Sequence, residues 1–472
     1  MPRPRTSSTE LMVELRRGDP APLHRQLEHE LRQGIREGRL AALTVMPSTR
    51  ALSDQLGLSR GVVVEAYEQL VAEGYLTSQP GGATRVSECA ADVPPPAPVV
   101  GPDPGPRIEF AYGRPDVALF PRQAWLRSLR RVLDTAPSDR FTYLQGHGVP
   151  ELREALATYL NRVRGTAANA GHVVVCNGFT QGLALIADLV RAHGGRRVAL
   201  EAPGYEDAEV TLRKAGLSVV RIPVDDEGLD VAVLERARAD AVVVTPAHQY
   251  PTGAVLSPAR RAALIAWAIR RRALILEDDY DAEFRYDREP IGAMHGLAPE
   301  HIVYSGTASK TLAPGLRLGW LIVPGRFVDE VTRSKQMADS GTAAIEQLAF
   351  ADFLERGEFD LHLRRMRPLY RDRRDVLLAA LARDAPELRP VGASAGLHVL
   401  AWLPEGVDEE AVTRRVVAEG VGIRGLRAFG GGQTQEAGAL IFGYGMVTPA
   451  RIEEGVRIVG RAIRDVAAGE SA

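Results

Sequence analysis

The sequence predicts a multidomain protein. A small N-terminal α+β unit of three helices and a hairpin comes first. An α/β domain with a mostly parallel sheet follows, closed by a smaller C-terminal α+β domain. Three observations carry this reading. At 472 residues the chain exceeds what one ordinary core organises. Residues 89–107 hold Pro94, Pro95, Pro96, Pro98, Pro102, Pro104 and Pro106 among Gly, Ala and Asp, and so read as a semi-rigid linker. Beyond the linker, short apolar runs alternate with helical stretches. The expected division is residues 1–88, the linker 89–107, a large domain 108–355 and a small domain 356–472.

Each element has a local reason. Leu23, Leu27, Leu31 and Ile35 recur every four residues, the stripe of an amphipathic helix. Ser48 is a good N-cap for a second helix that turns Leu52 and Leu56 inward. Gly57-Leu58 makes a tight turn. Ser59 is expected to cap a third helix with Val63, Ala66, Tyr67 and Leu70 on its apolar side, and Gly74 ends it where a left-handed residue is cheap. Tyr75-Leu76 and Arg85-Val86 form a hairpin through Gln79-Pro80-Gly81-Gly82. In the second part, strands are expected at His172–Cys176, Arg197–Leu200, Ser218–Ile222, Ala241–Thr245, Ala273–Glu277, His301–Ser305 and Leu318–Val323. They are nearly continuously apolar, as strands covered on both faces must be. After about residue 356 long helices dominate, with strands at Gly396–Trp402 and Ala439–Tyr444.

Composition narrows the class. Hydrophobic content of 45% and charged content of 25% suit a soluble globular protein. Net charge is −2, and residues 1–90 hold 11 Arg against 11 Asp or Glu, so any nucleic-acid surface depends on sorting charge onto one face. Two cysteines, Cys89 and Cys176, make neither a disulfide framework nor a zinc site, and no metal is expected. The N-terminus lacks an apolar signal core, and no apolar run reaches the ~18 residues of a membrane span. The expected location is the cytoplasm, away from membranes. Among 58 basic residues only Lys214, Lys310 and Lys335 are lysines, so chemistry on a side-chain primary amine has three candidates.

Helix, tight turn, helix and glycine-tipped hairpin outline a winged helix-turn-helix. Ser59, Arg60 and Gly61 open the third helix, where side chains and backbone N–H groups reach phosphates and base edges. Arg50, in the first turn of the preceding helix, can touch the backbone or a guanine edge. Ser48, Tyr67, Gly82 and Thr84 complete the residues nominated for double-stranded DNA. Arg32, Arg36 and Arg39 read as a solvated helix face. The segments PLHRQLEHELRQGIREGRL and MPSTRALSDQLGLSRGVVVEAYEQLVAEGYL resemble the GntR-type winged helix across residues 20–88. Leu43-Thr44-Val45-Met46 departs from it, where the family often has Pro-Gly before a hydrophobic residue.

The residues 305–319, SGTASKTLAPGLRLG, put a lysine after a strand among small hydroxyl residues. A Schiff base needs a primary amine, which arginine cannot supply. Lys310 is the candidate, because Lys214 and Lys335 sit in stretches that look like exposed helix. Thr307, Ser309 and Arg317 offer phosphate donors. Asp278 and Tyr280 lie at the carboxyl end of a strand, where open α/β sheets bind ligands. A carboxylate there keeps a pyridine nitrogen protonated. Asn177-Gly178-Phe179-Thr180 opens a helix whose N–H groups make a phosphate cradle, and Tyr205 in EAPGY offers a stacking surface.

In this order, FAYGRPDVALFP, YLQGHGVPELR, the Gly178 turn, EAPGY, TPAHQYPTG, EDDY and SGTASK resemble the fold-type I aminotransferases over residues 109–450. The resemblance implies pyridoxal 5′-phosphate on Lys310 as an internal aldimine, Asp278 on the pyridine nitrogen, Tyr280 on the ring hydroxyl and Tyr205 stacked on the ring. It assigns Gly178, Phe179, Thr180, Thr307, Ser309 and Arg317 to the phosphate. Tyr143 is assigned to the phosphate of a neighbouring subunit in a homodimer. Gly113 and His248 join the ligand-facing set. Tyr250 stands where the family has Asn, and Ile441 where aminotransferases carry the arginine that grips a substrate carboxylate, leaving Arg424 or Arg427 as replacements. A GntR-type region fused to such a domain resembles the MocR-type regulators. This implies a promoter-controlling protein that senses pyridoxal phosphate, an amine or an amino acid through Lys310. A working aminotransferase carrying a DNA-binding module is the alternative.

Overall fold

Nearly continuous apolar strands, buried on both faces, build the larger part of the protein. A computed structural model describes residues 13–79, 82–88, 105–286, 291–430 and 438–469. Contacts divide the chain into two units, Met1–Pro104 and Gly105–Ala472. The hairpin residues Pro80 and Gly81 and residues 89–104 of the linker lie outside the described residues.

In the first unit α1 (Leu23–Arg36), α2 (Thr49–Leu56) and α3 (Arg60–Ala72) precede the antiparallel β1 (Leu76–Thr77) and β2 (Arg85–Val86). Leu27, Leu31 and Ile35 of α1 are buried with Leu52 of α2 and Val63, Ala66 and Leu70 of α3. Ser48 Oγ accepts from the Ala51 N–H at 3.1 Å, capping α2 as expected. Gly57 closes α2 in the left-handed region, with φ at 62°. An extended segment missed by the sequence reading joins the hairpin. Val45 bridges Arg85, and the Met46 N–H donates to the Thr84 carbonyl at 2.9 Å. Leu43 enters this segment at a φ of 63°, which glycine would adopt without steric cost.

The second unit opens with β3 (Ile108–Glu109), α4 (Arg122–Thr135) and α5 (Pro150–Arg164). The large sheet is built from β4 (Val173–Cys176), β5 (Arg197–Ala202), β6 (Ser218–Asp225), β7 (Gly228–Leu229), β8 (Ala241–Val244), β9 (Leu274–Asp279), β10 (Ile302–Thr307) and β11 (Gly319–Ile322). Between them run α6 (Phe179–Ala192), α7 (Glu206–Lys214), α8 (Val231–Ala237) and α9 (Pro258–Arg271). Strand order is β4-β11-β10-β9-β8-β5-β6-β7, parallel from β10 through β6, with β11 antiparallel to both its neighbours. The mostly parallel sheet is as expected. Leu274 and Leu276 pack in one layer with Leu183, Ile186 and Leu212, while Ile275 packs in the other with Leu264 and Trp267. Burial on both faces explains why the strands read as unbroken apolar runs.

After α10 (Val328–Asp339) and α11 (Ala344–Glu355), the 27-residue α12 (Glu358–Asp384) leads into β12 (Arg389–Val391) and β13 (His398–Trp402). Then come α13 (Glu409–Ala418), β14 (Val421–Gly422), β15 (Arg424–Gly425), β16 (Ala439–Gly443) and α14 (Pro449–Ala467). The second sheet runs β12-β13-β16-β15, all antiparallel. β3 pairs in parallel with β14, so the residues just after the linker join the C-terminal part.

Candidate cofactor site and nucleic-acid surface

The carboxyl ends of β4, β5, β8, β9 and β10 surround a cavity of about 230 Å³. Gly178, Phe179 and Thr180 come from the turn into α6, Tyr205 from the exit of β5, and Asp278 and Tyr280 from β9. Thr307, Ser309, Lys310 and Arg317 come from the loop after β10, and Gly113 from the segment after β3. The eleven side chains or backbone positions nominated at these places thus converge on one space, as ligands do at the ends of open α/β strands.

Burial drives the Lys310 ammonium below its ordinary pKa, opposed by the charges of Asp278 and Asp281, which favours the free amine a Schiff base needs. Burial also pushes the Asp278 carboxyl well up, Asp279 adds repulsion, and Lys310 pulls the other way. Asp278 Oδ1 is buried without a hydrogen-bond partner. An orphaned buried carboxylate is costly, and a cationic N–H is the partner it lacks. A protonated pyridine nitrogen is such a donor, so the residues present fit pyridoxal phosphate. The phosphate end is shaped to match. Gly178 has a φ of 85°, and a β-carbon on Gly319 would stand 2.7 Å from Gly178 Cα, so neither tolerates a side chain. Arg317 Nη2 donates to the Asn177 carbonyl at 2.5 Å, and the Ser309 N–H donates to Thr307 Oγ1 at 3.1 Å.

Four nominated residues lie elsewhere. Tyr143 is 91% exposed and lines no part of the cavity. His248 is buried behind Tyr280, with Nδ1 2.9 Å from Asp281 Oδ2 and 3.1 Å from the Tyr280 hydroxyl. It therefore supports Tyr280 and does not line the cavity. Arg427 is exposed and stands 3.7 Å from Asp408. Arg424 is the Cα partner of Ile441 in the β15–β16 ladder, and its guanidinium lies 5.8 Å from the ring centre of Tyr112, a cavity-lining residue. Ile441 itself is fully buried. Of the two replacement arginines, only Arg424 touches the cavity wall. Lys335 corrects a further expectation: α10 buries it completely, whereas Lys214 is exposed.

The sequence reading missed Tyr112, Glu201 and Thr245 as lining residues. Glu201 Oε2 accepts from Thr245 Oγ1 at 2.6 Å, and burial pushes its carboxyl up to about 7. The available signal was position: Thr245 follows β8, the neighbour of the strand that carries Asp278, and Glu201 lies near the carboxyl end of β5, one strand further on. Tyr250 lines the cavity with its hydroxyl buried and making no hydrogen bond, a polar atom available to a ligand in place of the missing Asn.

In the first unit Ser48, Arg50, Ser59, Arg60, Gly61 and Gly82 are exposed. Ser59 occupies the N-cap position of α3 but makes no capping hydrogen bond. Tyr67 corrects the nomination: it is 4% exposed and its hydroxyl donates to the Pro47 carbonyl at 3.0 Å, making it a core residue. Thr84 is half-buried, with its carbonyl held by Met46. Arg32 makes a bidentate pair with Glu73, and Arg36 donates to the Tyr75 hydroxyl, so both serve the fold.

Residues 108–449 match the family described as aminotransferase class I and II, and residues 23–86 match the bacterial regulatory proteins of the gntR family. The probable rhizopine catabolism regulatory protein MocR of Rhizobium meliloti is 33% identical over 468 residues, covering 94% of each chain. The HTH-type pyridoxine biosynthesis transcriptional regulator PdxR of Corynebacterium glutamicum is 31% identical, covering 92% of this chain and 95% of that protein. Among solved structures, the α-aminoadipate aminotransferase LysN of Thermus thermophilus, complexed with N-(5′-phosphopyridoxyl)-L-leucine, superposes with a TM-score of 0.68. It is 28% identical and covers 76% of this chain and 93% of its own.

Proposed function

The chain belongs to the MocR-type regulators, a gntR-family region and an aminotransferase class I and II domain in one polypeptide, and from that premise we propose that its effector is read at Lys310. It is a transcription regulator, and pyridoxal phosphate is its cofactor. One observation carries the proposal: a half-buried amine, Lys310, shares a cavity with a buried carboxylate oxygen that has no partner, on Asp278. When bound, the cofactor supplies an aldehyde that condenses with primary amines, so an effector amine and Lys310 compete for it. Asp278 would hold the ring nitrogen, Tyr280 the ring hydroxyl and Tyr205 one ring face. Thr307, Ser309, Arg317 and the Gly178 turn would hold the phosphate.

The effector is pyridoxal phosphate itself or a small amine or amino acid. Arg424 beside Tyr112 is the cation that would meet an effector carboxylate. A buried Ile441 opposite it weighs against fast turnover of ordinary amino acids, and so against the aminotransferase reading. The regulator acts in the cytoplasm as a homodimer on a double-stranded operator, with the exposed Tyr143 ring available to a second subunit. Among the described residues no helix is long and apolar enough to cross a membrane.

The test is the affinity of the full protein for its promoter fragment, with and without pyridoxal phosphate, in wild type and Lys310→Ala. Wild type should respond by about fivefold or more, within the usual range of coupling energies, and the variant should not. An equal response in Lys310→Ala would remove Lys310 from the sensing path.

A further inference from the structure

A fully buried lysine stands outside the cavity. Lys335 on α10 is 0% exposed, and its Nζ lies 2.6 Å from both carboxylate oxygens of Asp339, one helical turn on. Removing an ammonium from water is costly, and the attraction to one carboxylate often only balances that cost; an apolar side chain of similar volume would serve the core as well. The pair therefore calls for a reason beyond packing, and the remaining valences of Asp339 supply one. Asp339 Oδ2 accepts from Asn177 Nδ2 at 2.9 Å and from Gln181 Nε2 at 2.7 Å, while Oδ1 accepts from the Gly341 N–H at 3.0 Å. Gln181 Oε1 in turn accepts the Asn177 N–H at 2.7 Å. These contacts grip both ends of the Asn177–Gln181 turn, whose middle residues line the cavity. On the opposite side Arg317 holds the Asn177 carbonyl.

We infer that Lys335 and Asp339 are positioning residues that set the Asn177–Gln181 turn for a phosphate. Neither touches the cavity. Lys335 neutralises Asp339 and fixes its direction; Asp339 orients two amide side chains; these hold the backbone whose N–H groups at the start of α6 are free for an anion. The assignment rests on the cofactor reading above and adds that recognition of the phosphate group, separately from the ring, runs through α10.

The experiment compares two probes on the full-length protein: pyridoxal phosphate, and pyridoxal, which lacks the phosphate. Binding is followed by visible absorbance. Gln181→Ala keeps the ion pair and removes one grip on the turn. The double variant Lys335→Met/Asp339→Asn removes both charges together, so no buried charge is left unpaired. Each should weaken pyridoxal phosphate by about tenfold, the worth of one charge-assisted hydrogen bond, and leave pyridoxal within about twofold. Equal weakening of both probes, or of neither, overturns the assignment. If wild type itself shows no lysine-dependent absorbance with either probe, the cofactor reading falls, a result distinct from failure of the variants. Should the double variant not fold, Gln181→Ala alone decides.

Discussion

A β-carbon placed on Gly113 would stand 3.1 Å from the Nζ of Lys310. Gly113 also holds a φ of 60°, which costs an L-residue roughly 1–2 kcal/mol. The lysine amine is the far end of a flexible chain, so the fold adapts to Gly113→Ala while the amine moves. The expected result is cofactor affinity lowered about tenfold, a loss near 1.4 kcal/mol, with a small drop in melting temperature. An absorbance titration beside a thermal melt checks both. Unchanged affinity would show that Lys310 need not pass Gly113 to reach its ligand.

Asp278 separates stability from binding. Its unpartnered buried oxygen is a cost to the cofactor-free protein, on the order of 1–3 kcal/mol. Asp278→Asn removes the charge. The cofactor-free variant should therefore melt higher than wild type, while its affinity for pyridoxal phosphate falls at least about tenfold through loss of one charge-assisted bond. A variant that loses both stability and affinity would mean that Asp278 has a partner within the fold.

Glu201 gives a pH dependence with a defined sign. Its carboxyl titrates at about 7 in the folded protein, raised by burial from 4.5 and held back by bonds from Thr245 and Gln249. Between those values the folded state binds more protons than the unfolded one, so the glutamate's contribution to stability falls as pH rises. Glu201→Gln escapes this. Its stability should match wild type near about pH 5 and exceed it near about pH 8, by on the order of 1 kcal/mol after allowance for solvent at the cavity mouth, with a higher thermal midpoint at the upper pH. A gap that is constant with pH would place the Glu201 titration elsewhere.

Arg60 and Tyr67 sit on one helix with opposite expected effects. Arg60, exposed at the start of α3, should cost ~1–3 kcal/mol of operator binding on replacement by Ala and flatten base preference. Tyr67→Phe should leave base preference intact and cost about 1 kcal/mol of stability through loss of its bond to the Pro47 carbonyl. Operator and random DNA titrations, with melting of each variant, read both. Equal losses for Arg60→Ala on the two DNAs would make it a phosphate contact.

What the sequence disclosed and what it hid follow from range. The strand runs were legible because burial on both faces writes them into local composition, as at Val173–Cys176. Lys310, Asp278 and Gly178 were legible because each stands beside a strand end or a turn with distinctive residues. Tyr67 misled because a tyrosine near a recognition helix suits DNA as well as a core; its partner, Pro47, is 20 residues away. His248 misled for the same reason, since Asp281 and Tyr280 are brought to it only by the sheet. Lys335 lies on a helix of mixed polarity, and only the packing of α10 against α6 decides that it is buried.

The placement of the three lysines has a consequence for chemistry done to the protein. Lys335 is sealed in, Lys310 lies in the cavity, and Lys214 alone is exposed. Elsewhere positive charge is carried by arginine, whose guanidinium does not act as an acyl acceptor at neutral pH. Acetylation and other amine-directed acylation therefore meet one open side-chain target, at the end of α7. A label attached there reports on the folded regulator from a single known place, and acylation of Lys335 becomes a measure of how often its enclosure opens.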